Sequence, residues 1–240
     1  VVIEDLDGVL LERLATESGL FHRDPDGEAL SRALALEPLR ALAAELRPGM
    51  RTLETGCGGT TVAFAAAGTR HTVVTLDDAE VERVRAFCVQ HGISLESVDF
   101  VVGSSDRVLV DWSEPLDIVL VDGAHRVPFP FLDWHYTASH LKVGGRLFVD
   151  DIPIPAVHLL FDFLRGEDEW RLVAIHGDKL AVFEKAAVPP ADPLLDWEAQ
   201  RFNLPWIYDH VPLRRRWRKL RDRAMIGTRL RRAHRRSAST

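Results

Sequence analysis

From residue 50 to residue 186 of this 240-residue chain, the hydrophobic period switches back and forth between that of a strand and that of a helix. Residues 52–55, 71–76, 99–102, 116–121 and 146–149 are short, apolar and rich in β-branched side chains. Between them, residues 60–67, 79–91, 131–141 and 156–164 carry helical spacing. The run Leu116-Asp117-Ile118-Val119-Leu120-Val121 is nearly all apolar, as a strand covered on both faces must be. Such alternation predicts a doubly wound, mainly parallel sheet with helices on both sides. Two further strands, 170–175 and 180–183, turn at Gly177-Asp178 and predict a closing antiparallel hairpin.

On either side the pattern changes. Residues 1–49 predict a helical extension with one helix over 28–46, its apolar positions Leu30, Leu34, Leu39, Leu42 and Leu46 ended by Pro48-Gly49. Residues 187–240 read as a Pro-containing linker and a basic tail. The net charge of −6 hides that asymmetry: residues 211–240 hold 11 Arg and one Lys against Asp222, a net of +11, leaving −17 on the rest. Leu213, Trp217, Leu220 and Ala224 form an apolar stripe among the arginines, which predicts docking on the chain's own acidic body or on an anionic surface. No nucleic-acid module accompanies the tail, so specific nucleic-acid binding is not expected.

With 46% hydrophobic residues the chain has the material of a globular core, and no apolar run is long enough to span a bilayer. Cys57 and Cys88 form no C-x-x-C pair, which argues against a zinc site or a disulfide framework. No charged-then-apolar leader opens the chain. The expected location is the cytoplasm, with the tail offering peripheral membrane contact.

The first expected strand runs into Leu53-Glu54-Thr55-Gly56-Cys57-Gly58-Gly59-Thr60. A glycine cluster between strand and helix lets backbone approach a ligand, and the helix beyond it presents free N–H groups. The pattern E-x-G-x-G-G lacks the third glycine of the dinucleotide fingerprint. Glu54, Thr55, Gly56, Gly58 and Gly59 are the candidate cofactor contacts here. Asp77 ends the next strand, at the distance where a carboxylate accepts from ribose hydroxyls; Asp78 then caps the following helix. Gly103-Ser104-Ser105-Asp106 follows the third strand, where Ser104 is either a further cofactor contact or a helix cap.

Asp122-Gly123-Ala124-His125 follows the fourth strand and Asp150-Asp151 the fifth. Neighbouring parallel strands end in one crevice, so these residues are expected to meet. Three carboxylates close together repel unless protons or a cation neutralise them, and oxygen ligands suit Mg²⁺, Ca²⁺ or Mn²⁺.

The stretch from about residue 45 to 186, with its E-x-G-x-G-G loop, D-G-x-H motif and Asp pair after V-G-G-R-L, resembles the class I S-adenosylmethionine-dependent methyltransferases. It is most similar to the metal-dependent O-methyltransferases of sugar or polyketide-like hydroxyls. The resemblance implies a Rossmann-like seven-stranded sheet and S-adenosylmethionine on the glycine loop, with Asp122 also contacting it. It further implies a divalent cation, Mg²⁺ by preference, on Asp122, Asp150 and Asp151, with His125 as the base that deprotonates a small-molecule or saccharide hydroxyl. Catechol-type relatives place Asn at the last ligand; Asp151 here means that catechol specificity does not carry over. A homo-oligomer is compatible with this reading.

Two alternatives stand beside it. One is a cofactor-binding subunit without catalysis. The other rests on Val1–Leu10, which resembles the opening of haloacid-dehalogenase-type phosphatases with Asp5 as nucleophile and Asp7 as acid/base, although it leaves the glycine loop unexplained. Among the aromatics, Phe131, Trp134 and Tyr136 read mainly as core, and Phe129 as the substrate contact.

Overall fold

A computed structural model describes residues 8–16, 21–24, 26–30, 33–188 and 200–203. Helices α1 (Gly8–Thr16) and α2 (Leu36–Glu45) precede β1 (Arg51–Thr55), α3 (Gly59–Ala66), β2 (Arg70–Thr75) and α4 (Asp78–His91). Then come β3 (Val98–Val102), the single turn α5 (Ser105–Val108), β4 (Leu116–Val121), α6 (Phe129–Ala138) and β5 (Leu141–Val149). Helix α7 (Pro155–Gly166) and strands β6 (Trp170–His176) and β7 (Leu180–Lys185) complete the order. The seven strands form one sheet in the order β3-β2-β1-β4-β5-β7-β6, the first five parallel and β7 antiparallel to both neighbours. This is the Rossmann-like, doubly wound fold that the alternation predicts.

Alternation along each strand sorts side chains onto two faces. Ile118, Leu120 and Phe148 join Val62, Phe64, Val73 and Val84 on one side. Val119, Val121, Leu147 and Val149 join Leu160, Leu164 and Phe183 on the other. The same two-sided burial is why β4 is apolar at nearly every position.

The N-terminal stretch departs from expectation. The helix expected over 28–46 shrinks to Leu36–Glu45, and Ala29 instead pairs with Arg23 in an isolated bridge. Helical spacing of leucines describes only which residues are apolar; here Leu34 reaches the core from outside the helix. Leu11, Leu14, Phe21, Leu39 and Leu42 are buried in the same cluster as the α3 and α4 side chains, so this stretch shares the sheet's core. Gly8, Val9 and Leu10 begin a helix, while Asp5 and Asp7 lie outside the described residues. The fifth strand also starts earlier than expected, at Leu141, because α6 ends at Ala138.

The chain divides into two compact units, Val1–Pro189 and Pro190–Thr240, and the second is described only at the 3₁₀ turn Arg201–Asn203. The basic stripe at 213–224 lies outside the described residues. Among the described residues, no helix is long and apolar enough to cross a membrane.

Lys185 at the end of β7 is buried, and its Nζ donates to the carbonyls of Ala138 at 2.6 Å and Leu141 at 2.7 Å. Burial holds its pKa below the ordinary lysine value. The ammonium satisfies carbonyls at the exit of α6. Lys185→Met is therefore expected to cost about 2–4 kcal/mol of stability, read as a lowered denaturation midpoint; an unchanged midpoint refutes that role.

Candidate functional site

The strand register positions the site before any side chain is considered. Thr55 pairs with Val74 and with Val121, and Val121 with Val149. The residues one step beyond, Gly56, Asp122 and Asp150, therefore stand level at the C-terminal edge. Strand order reverses between β1 and β4, which is where an open α/β sheet leaves its crevice. A cavity of about 740 Å³ opens at that edge.

The glycine loop forms one wall. Gly56 has φ +99°, and a Cβ there would lie 2.4 Å from the Asp122 carbonyl oxygen. Only glycine lets β1 and β4 end this close together. Thr55, Gly56, Gly58 and Gly59 all line the cavity. Glu54, expected beside the cofactor, does not: it is 1% exposed, its oxygens accept from the hydroxyls of Thr60 (2.7 Å) and Thr61, and His71 Nε2 stands 3.2 Å away. The carboxylate points backward because strand alternation turns it into the α3 side of the sheet. There it ties the start of the helix to β1, and so shapes the loop without facing the cavity.

Asp77 lines the cavity, but the expected division of labour with Asp78 is reversed. Asp77 is itself the N-cap of α4, accepting from the Ala79 N–H at 2.9 Å, and Asp78 is the first helical residue. Its other oxygen lies 3.5 Å from Arg83, so one carboxylate caps the helix and still faces the cavity. Ser104 lines the cavity too; its hydroxyl engages Asp106, and its side chain makes no helix-cap bond.

The acidic end holds Asp122, His125 and Asp151, whose donor atoms lie within 4.8 Å of one another. His125 Nδ1 is 3.3 Å from Asp151 Oδ2. Its Nε2 is 3.4 Å from Asp122 Oδ1, a charge contact without hydrogen-bond alignment. The Asp122 contact, opposed by burial and helped by Asp151 and Asp150, raises the His125 pKa above its ordinary value. Asp151 turns toward His125 through a left-handed backbone, φ +59°, a conformation that Asp tolerates better than most residues.

Asp150 differs from expectation. It is 1% exposed, does not line the cavity, and stands outside the group of three. Burial first, then the Asp122 carboxylate, push its pKa up to about 7. Its Oδ2 lies 3.2 Å from Lys179 Nζ, and its buried Oδ1 has no hydrogen-bond partner.

Three side chains of the site are not evident from the sequence. Lys179 lies in the turn before β7, which runs antiparallel to β5 and so starts where β5 ends; Nζ also reaches Asp151 Oδ1 at 3.2 Å. His22 lines the cavity over the glycine loop, its Nδ1 2.7 Å from Glu80 and its Nε2 2.9 Å from where a Cβ on Gly58 would be. Asp133 of α6 is 1% exposed behind the D-G-x-H turn, and burial raises its pKa. Helical spacing on α6 marks apolar faces and gives no reason to single out Asp133. Phe129 lines the cavity, while Phe131, Trp134 and Tyr136 pack against the core. Cys57 and Cys88 are free and buried, and burial raises both thiols, so neither is an available nucleophile.

The dimensions and chemistry of this edge suit a nucleoside-containing cofactor: backbone approach at Gly56, a carboxylate on the second strand, and a roomy cavity between them. The oxygens of Asp122 and Asp151, with the orphaned Oδ1 of Asp150, form a carboxylate set suited to a hard divalent cation, and His125 stands against it.

Residues 53–152 match the family described as a methyltransferase domain. No curated protein matches the chain in sequence. Among solved structures, the O-methyltransferase TomG from Streptomyces achromogenes, crystallised with SAM, is 19% identical, with 76% of this chain and 89% of that chain covered at TM-score 0.55. An rRNA methylase from Streptococcus thermophilus is 14% identical over 62% of this chain and 94% of that one, TM-score 0.50. TrmN from Thermus thermophilus is 18% identical over 61% of this chain but only 48% of its own length, TM-score 0.49. At these identities the first two show a shared fold alone, and their acceptors are their own. The family match and the sheet order together mark residues 53–152 as a methyltransferase-like domain on a Rossmann-like fold.

Proposed function

We propose that the protein is a divalent-cation-dependent O-methyltransferase acting on a hydroxyl of a small molecule or saccharide. The observation that carries this reading is the convergence of Asp122, His125 and Asp151 at the cavity's acidic end, next to the glycine loop. When bound, S-adenosylmethionine supplies an electrophilic methyl group and the cation favours the ionised form of an acceptor hydroxyl.

The chain's own residues do the rest. Asp122 and Asp151 would hold the cation, and Asp150, outside that group, would join through its Oδ1, which has no partner. His125 takes the hydroxyl proton at Nε2: its Nδ1 lies 3.3 Å from Asp151 Oδ2, and a proton kept on Nδ1 leaves Nε2 its lone pair. The loop at Gly56 and the carboxylate of Asp77 orient the cofactor, and holding two reactants in line accounts for most of the acceleration. Phe129 offers an apolar surface to the acceptor at the same mouth. The glycine loop and Asp77 lie at the ends of β1 and β2 and Ser104 after β3, while the cation ligands lie beyond β4 and β5 and share only Asp122 with the cofactor, so the two kinds of binding are largely separable.

The test is a chelation experiment combined with a hydroxyl-acceptor screen read by methyl mass gain. Chelation is expected to abolish transfer while leaving S-adenosylmethionine affinity intact, and Asp151→Asn to weaken both cation binding and turnover. A chelator-resistant enzyme overturns the cation; a methyl gain only on nitrogen or carbon overturns O-methylation. A cofactor-binding subunit without catalysis would bind S-adenosylmethionine and give no mass gain on any acceptor.

A further inference from the structure

The acidic end of the cavity already contains a cation of the protein's own. Lys179 Nζ stands 3.2 Å from Asp150 Oδ2 and 3.2 Å from Asp151 Oδ1, straddling the two carboxylates that follow β5. Its backbone is pinned at this place: its carbonyl accepts from the Ile152 N–H at 3.0 Å, and its own N–H donates to the His176 carbonyl at 3.1 Å. The pairing of Val149 with Ala181 fixes the turn against the end of β5. Lys179 therefore belongs to the site through register as well as through charge.

Electrostatics gives this placement a consequence. Asp150 is 1% exposed and keeps one oxygen on Lys179 and the other without a partner. A buried carboxylate needs a compensating charge, and two such groups side by side need it more. An ammonium supplies one unit at hydrogen-bond distance; a divalent ion supplies two at the shorter distance of a metal–oxygen bond. Both draw on the Asp150–Asp151 pair, and two cations that close repel each other.

We infer that Lys179 is a built-in counter-ion that competes with the divalent cation for Asp150 and Asp151, so that the Asp150 Oδ2 and Asp151 Oδ1 it occupies become free for the cation only when the ammonium withdraws. This rests on the cation site proposed above. Lys179 then sets how tightly the site loads, and it offsets one of the pair's two charges before loading. The role is one of positioning and affinity; Lys179 touches no reacting atom in this account.

The experiment is a titration of the full chain with Mn²⁺, followed by electron paramagnetic resonance of the free ion. Lys179→Met and Lys179→Gln keep much of the side chain's length and remove its charge, and each is expected to bind Mn²⁺ at least tenfold more tightly than the unmodified chain. Lys179→Arg keeps the charge and is expected to stay within threefold. Asp151→Asn is expected to bind at least tenfold more weakly. A cooperative melting transition for each variant identifies the folded ones, and either uncharged variant suffices. Equal or weaker Mn²⁺ binding in a folded uncharged variant, with Asp151→Asn still impaired, overturns the counter-ion role and leaves the cation site standing. No Mn²⁺ binding to any form, or unimpaired binding by Asp151→Asn, overturns the cation site itself and the inference with it.

Discussion

Replacing His125 with alanine is expected to lower turnover by about a hundredfold to ten-thousandfold, the usual worth of a positioned general base. S-adenosylmethionine affinity should stay within a few-fold, because the glycine loop and Asp77 belong to other strands. Cation affinity should also survive, since Asp122 and Asp151 remain. The pH dependence has a definite sign. A base works only when deprotonated, and Asp122 raises the pKa of His125. Activity is thus expected to be lost as pH falls through that raised value, and the alanine variant should lack this limb and recover partly at high pH as hydroxide takes the proton. Single-turnover rates against pH measure both. A fully active alanine variant removes the base from the mechanism, and a parallel collapse of Mn²⁺ binding reassigns His125 as a ligand.

The second large effect is expected at Gly56. Gly56→Val places a Cβ where the Asp122 carbonyl oxygen lies 2.4 Å away, on a backbone with φ +99°. Neither the strain nor the clash relaxes without separating the ends of β1 and β4, for an expected loss of about 2–5 kcal/mol in stability. S-adenosylmethionine binding should fall at least tenfold by calorimetry in whatever fraction remains folded. Gly144→Ala is the control: its φ is +83°, yet nothing lies within 4 Å of the added carbon. It should cost only about 1 kcal/mol and leave binding alone. A Gly56→Val protein that binds like the parent removes the glycine loop from the cofactor site.

Much of the site was legible because the relevant information is local. Each expected contact at a strand end follows from one strand's period plus the rule that parallel neighbours finish on one side. Thr55, Gly56, Asp77, Ser104, Asp122, His125 and Asp151 all reach the cavity in that way. Glu54 shows where this reasoning stops. Its place just before the glycines is plain in the sequence, but the face it takes depends on the alternation of β1 and on Thr60 and Thr61 waiting behind the sheet. The Asp77–Asp78 pair makes the same point on a smaller scale: one residue's difference in where α4 starts decides which carboxylate caps it.

What the sequence alone determined was therefore the layered α/β architecture, the strand order's functional edge and most of the residue types gathered there, since periodicity and turn chemistry act over a few neighbouring residues. Tertiary structure decided what came from far along the chain. His22 is set over the glycine loop by Glu80, 58 positions away, and Lys179 reaches Asp150 and Asp151 because a strand returning antiparallel begins where β5 ends. No local pattern encodes such meetings, because they depend on which strands pair and in which direction. That choice is made by burial of the whole sheet rather than by any one segment, and here it set a lysine among the carboxylates and turned Asp150 inward.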